Sequence, residues 1–205
     1  MSVAEITTAM VKELREATGA GVLDCRKALE QANGDMEKAA QILREKGAAA
    51  AAKKAGREAR EGRIEGYVHP GNRIGVLVEV NCESDFVART PQFQELAHEL
   101  ALHIAFANPR YVLPEEVPAE TLEAVKAEFR RAALAEGKPE AVVDRIVEGR
   151  LKKFYEDTCL MEQLYVRDDS IRIRDLIQQA IARLGENIIV RRFVRYELGE
   201  EATQS

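Results

Sequence analysis

The sequence contains few of the residues on which several protein classes depend. Its 205 residues include three cysteines, three histidines and no tryptophan. The cysteines, Cys25, Cys82 and Cys159, form no CxxC pair, and an odd number cannot be fully paired within one chain. A disulfide-built scaffold is therefore excluded, and a reducing, cytoplasmic environment is the natural interpretation.

Long apolar segments are also absent. The longest unbroken apolar run is the five alanines at 48–52, whereas a membrane-spanning helix needs roughly 20 apolar residues. Residues 1–6 have neither the basic and apolar regions of a signal peptide nor the arginine-rich character of a transit peptide. We therefore expect no membrane segment and no export.

The patterns typical of metal, nucleotide and catalytic sites are missing too. His98 and His103 are five residues apart on one predicted helix, so they do not share a face that could hold a metal ion. Residues 66–71 have the glycine spacing of a phosphate-binding loop, but Asn72 and Arg73 follow where Lys and Ser or Thr are required. We expect no catalytic residue, no metal, no cofactor and no direct nucleotide binding.

The composition that is present is typical of a folded, soluble protein, with 46 % apolar and 32 % charged residues. The net charge of −5 argues against a surface that binds nucleic acid over its whole area. A local basic stretch remains at 44–63, where seven Lys and Arg face three Glu. This stretch could contact phosphate or an acidic partner, or could simply be a solvated surface.

Residues 1–47 are predicted to form a bundle of three short helices, because apolar residues recur at helical spacing in three segments separated by glycines. Asn33-Gly34 is typical of the end of the second helix, Asp35 is expected to cap the third, and Gly47 is expected to end it. The following residues 48–62, rich in alanine and charge, are interpreted as a partly helical linker.

Residues 63–205 are predicted to form a core domain of α+β class. Apolar and polar residues alternate at 63–68 and 73–81 around a turn of composition His-Pro-Gly-Asn, which predicts an antiparallel hairpin. A third strand is expected at 188–197. The fold class is therefore a small N-terminal three-helix bundle followed by a three-stranded antiparallel sheet packed with helices. Helical patterns occupy 91–107, 122–132, 142–154 and 175–184, and 160–170 is expected to be irregular.

The turn after the second strand places two acids and an aromatic side by side, in the run Asn-Cys-Glu-Ser-Asp-Phe-Val-Ala-Arg at 81–89. In one interpretation Asp85 caps a turn and Phe86 packs beneath the next helix. In the other, a rigid hairpin and helix present Phe86 beside a carboxylate as a contact for another protein.

Several motifs in this order resemble the bacterial elongation factor Ts family, in its short form without the coiled-coil insertion. They are the opening Val-Lys-Glu-Leu-Arg-Glu-Ala-Thr-Gly-Ala-Gly at 11–21, Asp-Cys-Arg-Lys-Ala-Leu at 24–29, the run at 81–89, Glu-Gly-Arg-Leu-Lys-Lys-Phe-Tyr at 148–155, and Glu162-Gln163. Ser84 stands where the family usually has Thr, Leu164 where it has Pro, and Tyr165 where it has Phe.

The resemblance implies a guanine nucleotide exchange factor that binds elongation factor Tu with GDP and promotes GDP release without bond chemistry of its own. It implies that a loop enters beside the switch region of the GTPase and displaces its Mg²⁺. The residues of this loop are Ser84, Asp85, Phe86 and Val87. A homodimer is also implied, because two short chains would supply what a longer member folds from one.

The resemblance further implies that the N-terminal bundle is a ubiquitin-associated-like module that docks on the G domain. The candidate contacts are Lys12, Arg15, Thr18, Gly19, Ala20 and Gly21. Two other classes remain open on the residues alone. An RNA- or ribosome-binding adaptor would use the bundle with the basic stretch, and an enzyme would assemble a site from dispersed carboxylates.

Overall fold

The computed structural model describes residues 5–200, so residues 1–4 and the last five of the predicted core domain lie outside the described part of the chain. The three-stranded antiparallel sheet has the order β1-β2-β5, and a two-stranded antiparallel ribbon joins β3 to β4. The predicted α+β class is confirmed. The elements are α1 Thr8–Thr18, α2 Val22–Gln31, α3 Met36–Lys54, β1 Glu61–Val68, β2 Ile74–Cys82, α4 Asp85–Ala88, α5 Pro91–Ala107, α6 Ala119–Ala135, α7 Glu140–Thr158, β3 Leu164–Tyr165, β4 Asp168–Arg172, α8 Ile173–Leu184 and β5 Ile189–Glu197.

The N-terminal helices form where capping residues and apolar spacing agree. Thr7 caps α1 by accepting from the Met10 N–H at 3.3 Å, and Gly19 ends the helix with φ 65°. The Asp35 carboxylate accepts from the Lys38 N–H at 3.0 Å and caps α3, as predicted. The buried residues that hold the three helices together are Leu14, Cys25, Ala28, Leu29, Ala32, Ala39 and Leu43.

The third helix continues past Gly47, where the sequence pattern predicts its end, and reaches Lys54. Glycine costs a helix interior about 1 kcal/mol relative to alanine, but the five alanines that follow favour continuation. Gly47 and Ala51 are buried. A Cβ at Gly47 would lie 3.7 Å from the backbone oxygen of Gln178 in α8, so α8 packs closely against this part of α3.

Strand β2 shows the predicted alternation. Val76, Val78 and Val80 are buried, whereas Leu77 between them is half-exposed. Three valines on one face give the strand a β-branched apolar surface, which suits a half-buried position in a sheet.

The expectation of an irregular segment at 160–170 is wrong. A short 3₁₀ turn at Leu160–Glu162 leads into the β3-β4 ribbon, in which Leu164 pairs with Arg172. A strand of two residues is too short to show alternation in sequence. The ribbon is instead fixed by buried Gln163, whose amide donates to the carbonyl oxygens of Ala107 at 3.3 Å and Asp157 at 3.1 Å.

The described chain divides into two compact units that differ from the predicted boundaries 1–47, 48–62 and 63–205, which remain a prediction. The first unit comprises the residues up to 65 with 78–99 and 174–191, and therefore contains α1–α4 and α8. The second comprises 66–77, 100–173 and the residues from 192 onward, and contains α6, α7 and the β3-β4 ribbon. All predicted site residues lie in the first unit.

Candidate partner-binding site

The segment 83–90 contains the one-turn helix α4, between β2 and α5, and side-chain hydroxyls bind both ends of this helix. The Ser84 hydroxyl accepts from the Val87 N–H at 3.3 Å and begins α4. The Thr90 hydroxyl donates to the Val87 carbonyl at 2.8 Å and accepts from the Phe93 N–H at 3.3 Å, where α5 begins. Two capping residues six positions apart therefore limit α4 to one turn.

Phe86 is 79 % exposed, although its neighbours Val87 and Ala88 are buried. The interpretation in which Phe86 packs beneath the following helix is therefore wrong. The nearby aromatic that is fully buried is Phe93, on α5 itself. A large aromatic side chain in water on a short, capped helix leaves most of its apolar surface available for contact with another molecule.

Asp85 lies next to Phe86 and its carboxylate forms an ion pair with the Arg89 guanidinium at 2.7 Å. The interpretation in which Asp85 caps the turn is wrong, because Ser84 is the capping residue. Both side chains of the ion pair are mostly exposed, and such pairs contribute little to stability because water screens them. Asp85 can therefore leave Arg89 for another cation at small cost.

Glu186 holds the beginning of α4 from the other end of the sequence. One oxygen of its carboxylate accepts from the Glu83 N–H at 3.1 Å and the Ser84 N–H at 3.0 Å. The other oxygen accepts from the Ser84 hydroxyl at 2.6 Å. Three donors on one carboxylate fix both the backbone and the capping side chain of Ser84.

Glu83 makes the reciprocal contact. Its carboxylate accepts from the Asn187 N–H at 2.6 Å and lies 3.5 Å from the Arg57 guanidinium. The Asn187 side chain, which is buried, donates to the Arg57 carbonyl at 2.8 Å. We call Arg57, Glu83, Ser84, Glu186 and Asn187 the loop clamp.

Sequence reasoning missed Glu186 and Asn187, treating them only as the boundary before the last strand. They lie more than a hundred residues from Ser84 and carry no spacing signal. Gly185, which has φ 81°, forms a turn after α8, but a glycine at this place in the sequence does not indicate a contact with Ser84.

The cysteines are all free thiols and all buried. Burial, with a smaller contribution from the charge of Glu186, raises the pKa of the Cys82 thiol to about 11, and the thiol donates to the Ser84 carbonyl. Burial likewise raises the pKa values of Cys25 and Cys159. Cys82 therefore packs beneath the loop as a protonated, apolar side chain.

The predicted N-terminal contacts fall on two different surfaces. Lys12 and Arg15 are exposed on α1 and line a groove between α1 and α2, together with Ile6, Thr8, Val11, Val22 and Arg26. Lys12 also lies 3.8 Å from the carboxylate of Glu16. We call this groove the α1-α2 groove. Its combination of cations and apolar side chains suits an acidic, partly apolar partner.

Thr18, Ala20 and Gly21 line a separate cleft that also includes residues of α3 and α8. Gly19 lies against the Arg183 guanidinium, because a Cβ at Gly19 would come within 2.6 Å of it. The loop at 18–21 therefore contacts α8 of its own chain, whereas Lys12 and Arg15 face outward.

Among residues 5–200, the structure contains no group of three or more His, Cys, Asp or Glu that could hold a metal ion. Within the same residues, no helix is long and apolar enough to cross a bilayer. The fold and the site define an α+β protein that displays an aromatic and a carboxylate on a fixed surface helix, an arrangement typical of protein-binding surfaces.

Comparison with known proteins identifies the family. The family model for elongation factor TS matches residues 3–200. An elongation factor Ts of Thermoanaerobacter sp. (strain X514) is 60 % identical over 195 residues, covering 95 % of this chain and 96 % of the relative. The elongation factor Ts of Fervidobacterium nodosum (strain ATCC 35602 / DSM 5306 / Rt17-B1) is 57 % identical over 196 residues, covering 96 % of this chain and 100 % of the relative. The chain belongs to the elongation factor Ts family. It therefore functions in the elongation phase of protein biosynthesis.

Proposed function

We propose that this chain is a guanine nucleotide exchange factor, without bond chemistry of its own, that binds elongation factor Tu with GDP in the cytoplasm and promotes GDP release. The observation that carries the proposal is the exposure of Phe86 on a short helix that is held at both ends. A side chain presented in this way binds a partner without the loss of conformational entropy that ordering a loop would require.

The proposed mechanism is differential binding. The factor binds the nucleotide-free GTPase more tightly than the nucleotide-bound form, and by reciprocity it weakens nucleotide binding by the same ratio. A GTPase holds GDP through phosphate-binding amides, a lysine and Mg²⁺, so disturbing any of these lowers the barrier to release. The rates of release and rebinding rise, while the final ratio of GDP to GTP complexes is unchanged.

Within this mechanism, residues 84–87 enter beside the Mg²⁺ site of the G domain and have different roles. Phe86 inserts between elements of the partner, where burial of a phenylalanine contributes about 2 kcal/mol. Asp85 leaves Arg89 and competes for the donors or water that surround the Mg²⁺ ion. Ser84 and buried Val87 hold the turn on which both side chains stand.

The N-terminal bundle, residues 1–47, is proposed to dock on the G domain. The exposed cations Lys12 and Arg15 beside apolar Val11 and Val22 support the α1-α2 groove as the docking surface. Thr18, Gly19, Ala20 and Gly21 are proposed as a second contact, made over the edge of the cleft that they share with α8.

A homodimer is proposed on the resemblance to the short form of the family alone. Analytical ultracentrifugation of the free protein tests it: a sedimenting mass of two chains supports the dimer, and a mass of one chain at concentrations well above those in the exchange assay contradicts it.

The RNA- or ribosome-binding adaptor is less well supported. In the basic stretch, the Lys54 ammonium donates to the Ile181 carbonyl, and the cations Arg57, Arg60 and Arg63 contact the carboxylates of Glu83, Glu58 and Glu65. The partly buried Lys54 and Arg63 are therefore less available to phosphates, whereas the exposed pair of Arg60 with Glu58 exchanges partners at small cost.

Stopped-flow release of a fluorescent GDP analogue from elongation factor Tu tests the proposal. Substoichiometric amounts of this chain are expected to accelerate release of all the bound analogue, because an exchange factor turns over. Release at the rate seen without the chain would contradict the proposal. Retention on RNA that is lost with added salt would then favour the adaptor.

A further inference from the structure

We propose that Glu186 is a positioning residue for nucleotide exchange. It holds the start of α4, so that the Phe86 ring projects from the surface in a fixed direction. The inference rests on the proposed function and assigns a role in it to a residue far from the loop in sequence. It comes from the loop clamp, in which the Glu186 carboxylate accepts hydrogen bonds from Glu83 and Ser84, shortly before Phe86.

Glu186 satisfies three hydrogen-bond donors at the start of α4. The N–H groups of Glu83 and Ser84 follow the last residue of β2, and both donate to Glu186. The same carboxylate accepts from the Ser84 hydroxyl, which in turn accepts from the Val87 N–H. Removing Glu186 therefore frees two backbone donors and the hydroxyl that caps α4 in one step.

Glu186 is itself held in place by hydrogen bonds of the residues on either side of it. The Gly185 N–H donates to the Ile181 carbonyl at 3.0 Å, and the positive φ of Gly185 turns the chain away from α8. The next residue but one, Asn187, donates its N–H to the carboxylate of Glu83. The Glu186 carboxylate thus binds the backbone at Glu83, and the Glu83 carboxylate binds the backbone next to Glu186. Movement of either segment would therefore move the other.

Loss of Glu186 is expected to change the position of Phe86. Phe86 is two residues after Ser84, on a helix of four residues that is too short to keep its direction without its cap. A displacement of about 1 Å in a positioned group can lower the rate of a step by roughly a hundredfold. Docking through the α1-α2 groove does not involve the loop clamp, so loss of Glu186 should lower the exchange rate more than the affinity.

The experiment compares E186A and E186Q with wild type and with E123A, a control at an exposed glutamate of α6. Two measurements are made. Hydrogen exchange of the free protein reports on the amides of Glu83, Ser84 and Val87. The rate of GDP-analogue release is then followed against the concentration of the factor, which separates the maximal rate from the half-saturating concentration.

E186A is expected to speed amide exchange at Glu83, Ser84 and Val87 and to lower the maximal release rate by tenfold or more, about the range expected for a misplaced group. The half-saturating concentration should stay that of wild type. E186Q, which keeps an oxygen for the two backbone amides, should recover part of the rate, and E123A should equal wild type.

Three outcomes overturn the inference. One is an E186A maximal rate equal to that of E123A. Another is a rise in the half-saturating concentration without a fall in the maximal rate. The third is unchanged amide exchange at residues 83–87. Should E186A fail to fold, E186Q is compared with E123A, and a maximal rate equal to that of E123A overturns the inference. A wild-type chain that gives no acceleration overturns the proposed function itself, and so the two failures are told apart by the wild-type trace.

Discussion

The imidazole of His103 and the side-chain amide of Gln163 lie 3.0 Å apart in the interior, and the surrounding groups fix which atom carries the proton. The Val166 N–H donates to Nδ1 of His103, so Nε2 bears the hydrogen and donates to the Gln163 oxygen. The Gln163 amide nitrogen donates to two backbone carbonyls. Every polar atom of this pair therefore has a partner when the imidazole is neutral.

This arrangement predicts a loss of stability in mild acid. Burial lowers the pKa of His103 below its usual value of 6.5, although the hydrogen bond to Gln163 opposes this. The unfolded chain therefore binds a proton at a higher pH than the folded chain does. The stability of the fold with a neutral His103 is fully present above pH 6.5, and it is lost as the pH falls below 6.5 towards the lower pKa of the folded state. The free energy of unfolding should fall by up to about 1.4 kcal/mol per pH unit there.

Urea unfolding between pH 7.5 and 5 measures this slope in wild type, H103Q and the control H98Q, whose histidine is half-exposed. H103Q should be less stable at neutral pH but should lose the His103 part of the slope, whereas H98Q should keep it. Equal slopes in H103Q and wild type would show that the acid sensitivity arises elsewhere.

Replacement of Phe86 separates function from folding. Phe86→Ala should lower the exchange rate by about tenfold or more, as expected for a central aromatic contact, while the free energy of unfolding changes by no more than about 0.5 kcal/mol. Stopped-flow release and urea unfolding measure the two effects. Phe93→Ala, at a fully buried ring, should instead cost about 3–5 kcal/mol. A collapse of stability in Phe86→Ala would mean that its ring supports the fold.

Substitutions at Ser84 test its hydroxyl. Ser84→Ala removes the cap of α4 and one donor to Glu186, and such caps contribute about 1 kcal/mol. Ser84→Thr keeps the hydroxyl and should retain both stability and exchange. Thermal unfolding and stopped-flow release compare the two variants, and equal behaviour of Ala and Thr would remove any role for the hydroxyl.

Charge reversal tests the α1-α2 groove. Lys12→Glu with Arg15→Glu should weaken binding to elongation factor Tu and reduce its dependence on salt, because both cations are exposed and face outward. Calorimetric titration at two salt concentrations measures this. Lys27→Glu with Lys53→Glu, both exposed and outside the groove, changes the net charge by the same amount and is the matched control. Equal weakening by the control would show only a long-range effect of net charge.

Sequence reasoning succeeded where the information was local. Valine alternation predicted β2, the helical pattern at 91–107 predicted α5, and Asp35 was correctly expected to cap α3. It placed the acidic and aromatic segment at the correct turn but left the exposure of Phe86 open, because burial depends on which residues fill the space beneath a helix. Phe93, on α5 itself, is fully buried, whereas Phe86 is exposed.

It failed where the information was distant or depended on packing. Nothing near Glu186 indicates that its carboxylate holds Ser84, because the contact forms only when α8 and the end of β2 come together in the first unit. Gly47 was expected to end α3 on local propensity. Gly47 is buried where α3 packs against α8, and five alanines follow it, so packing and the residues that follow outweigh the propensity of one glycine.

The unbroken course of α3 to Lys54 bears on how force would pass through this molecule. The helix begins in the N-terminal bundle, and its last residue donates to the Ile181 carbonyl in the final turn of α8, five residues before Glu186. Bundle, α8 and loop therefore lie in the first unit and are linked by hydrogen bonds from Lys54 to Ile181 and from Ser84 to Glu186. A partner bound to the bundle would therefore restrain the loop as well, so that a force on the Phe86 ring would be opposed through α3 and α8.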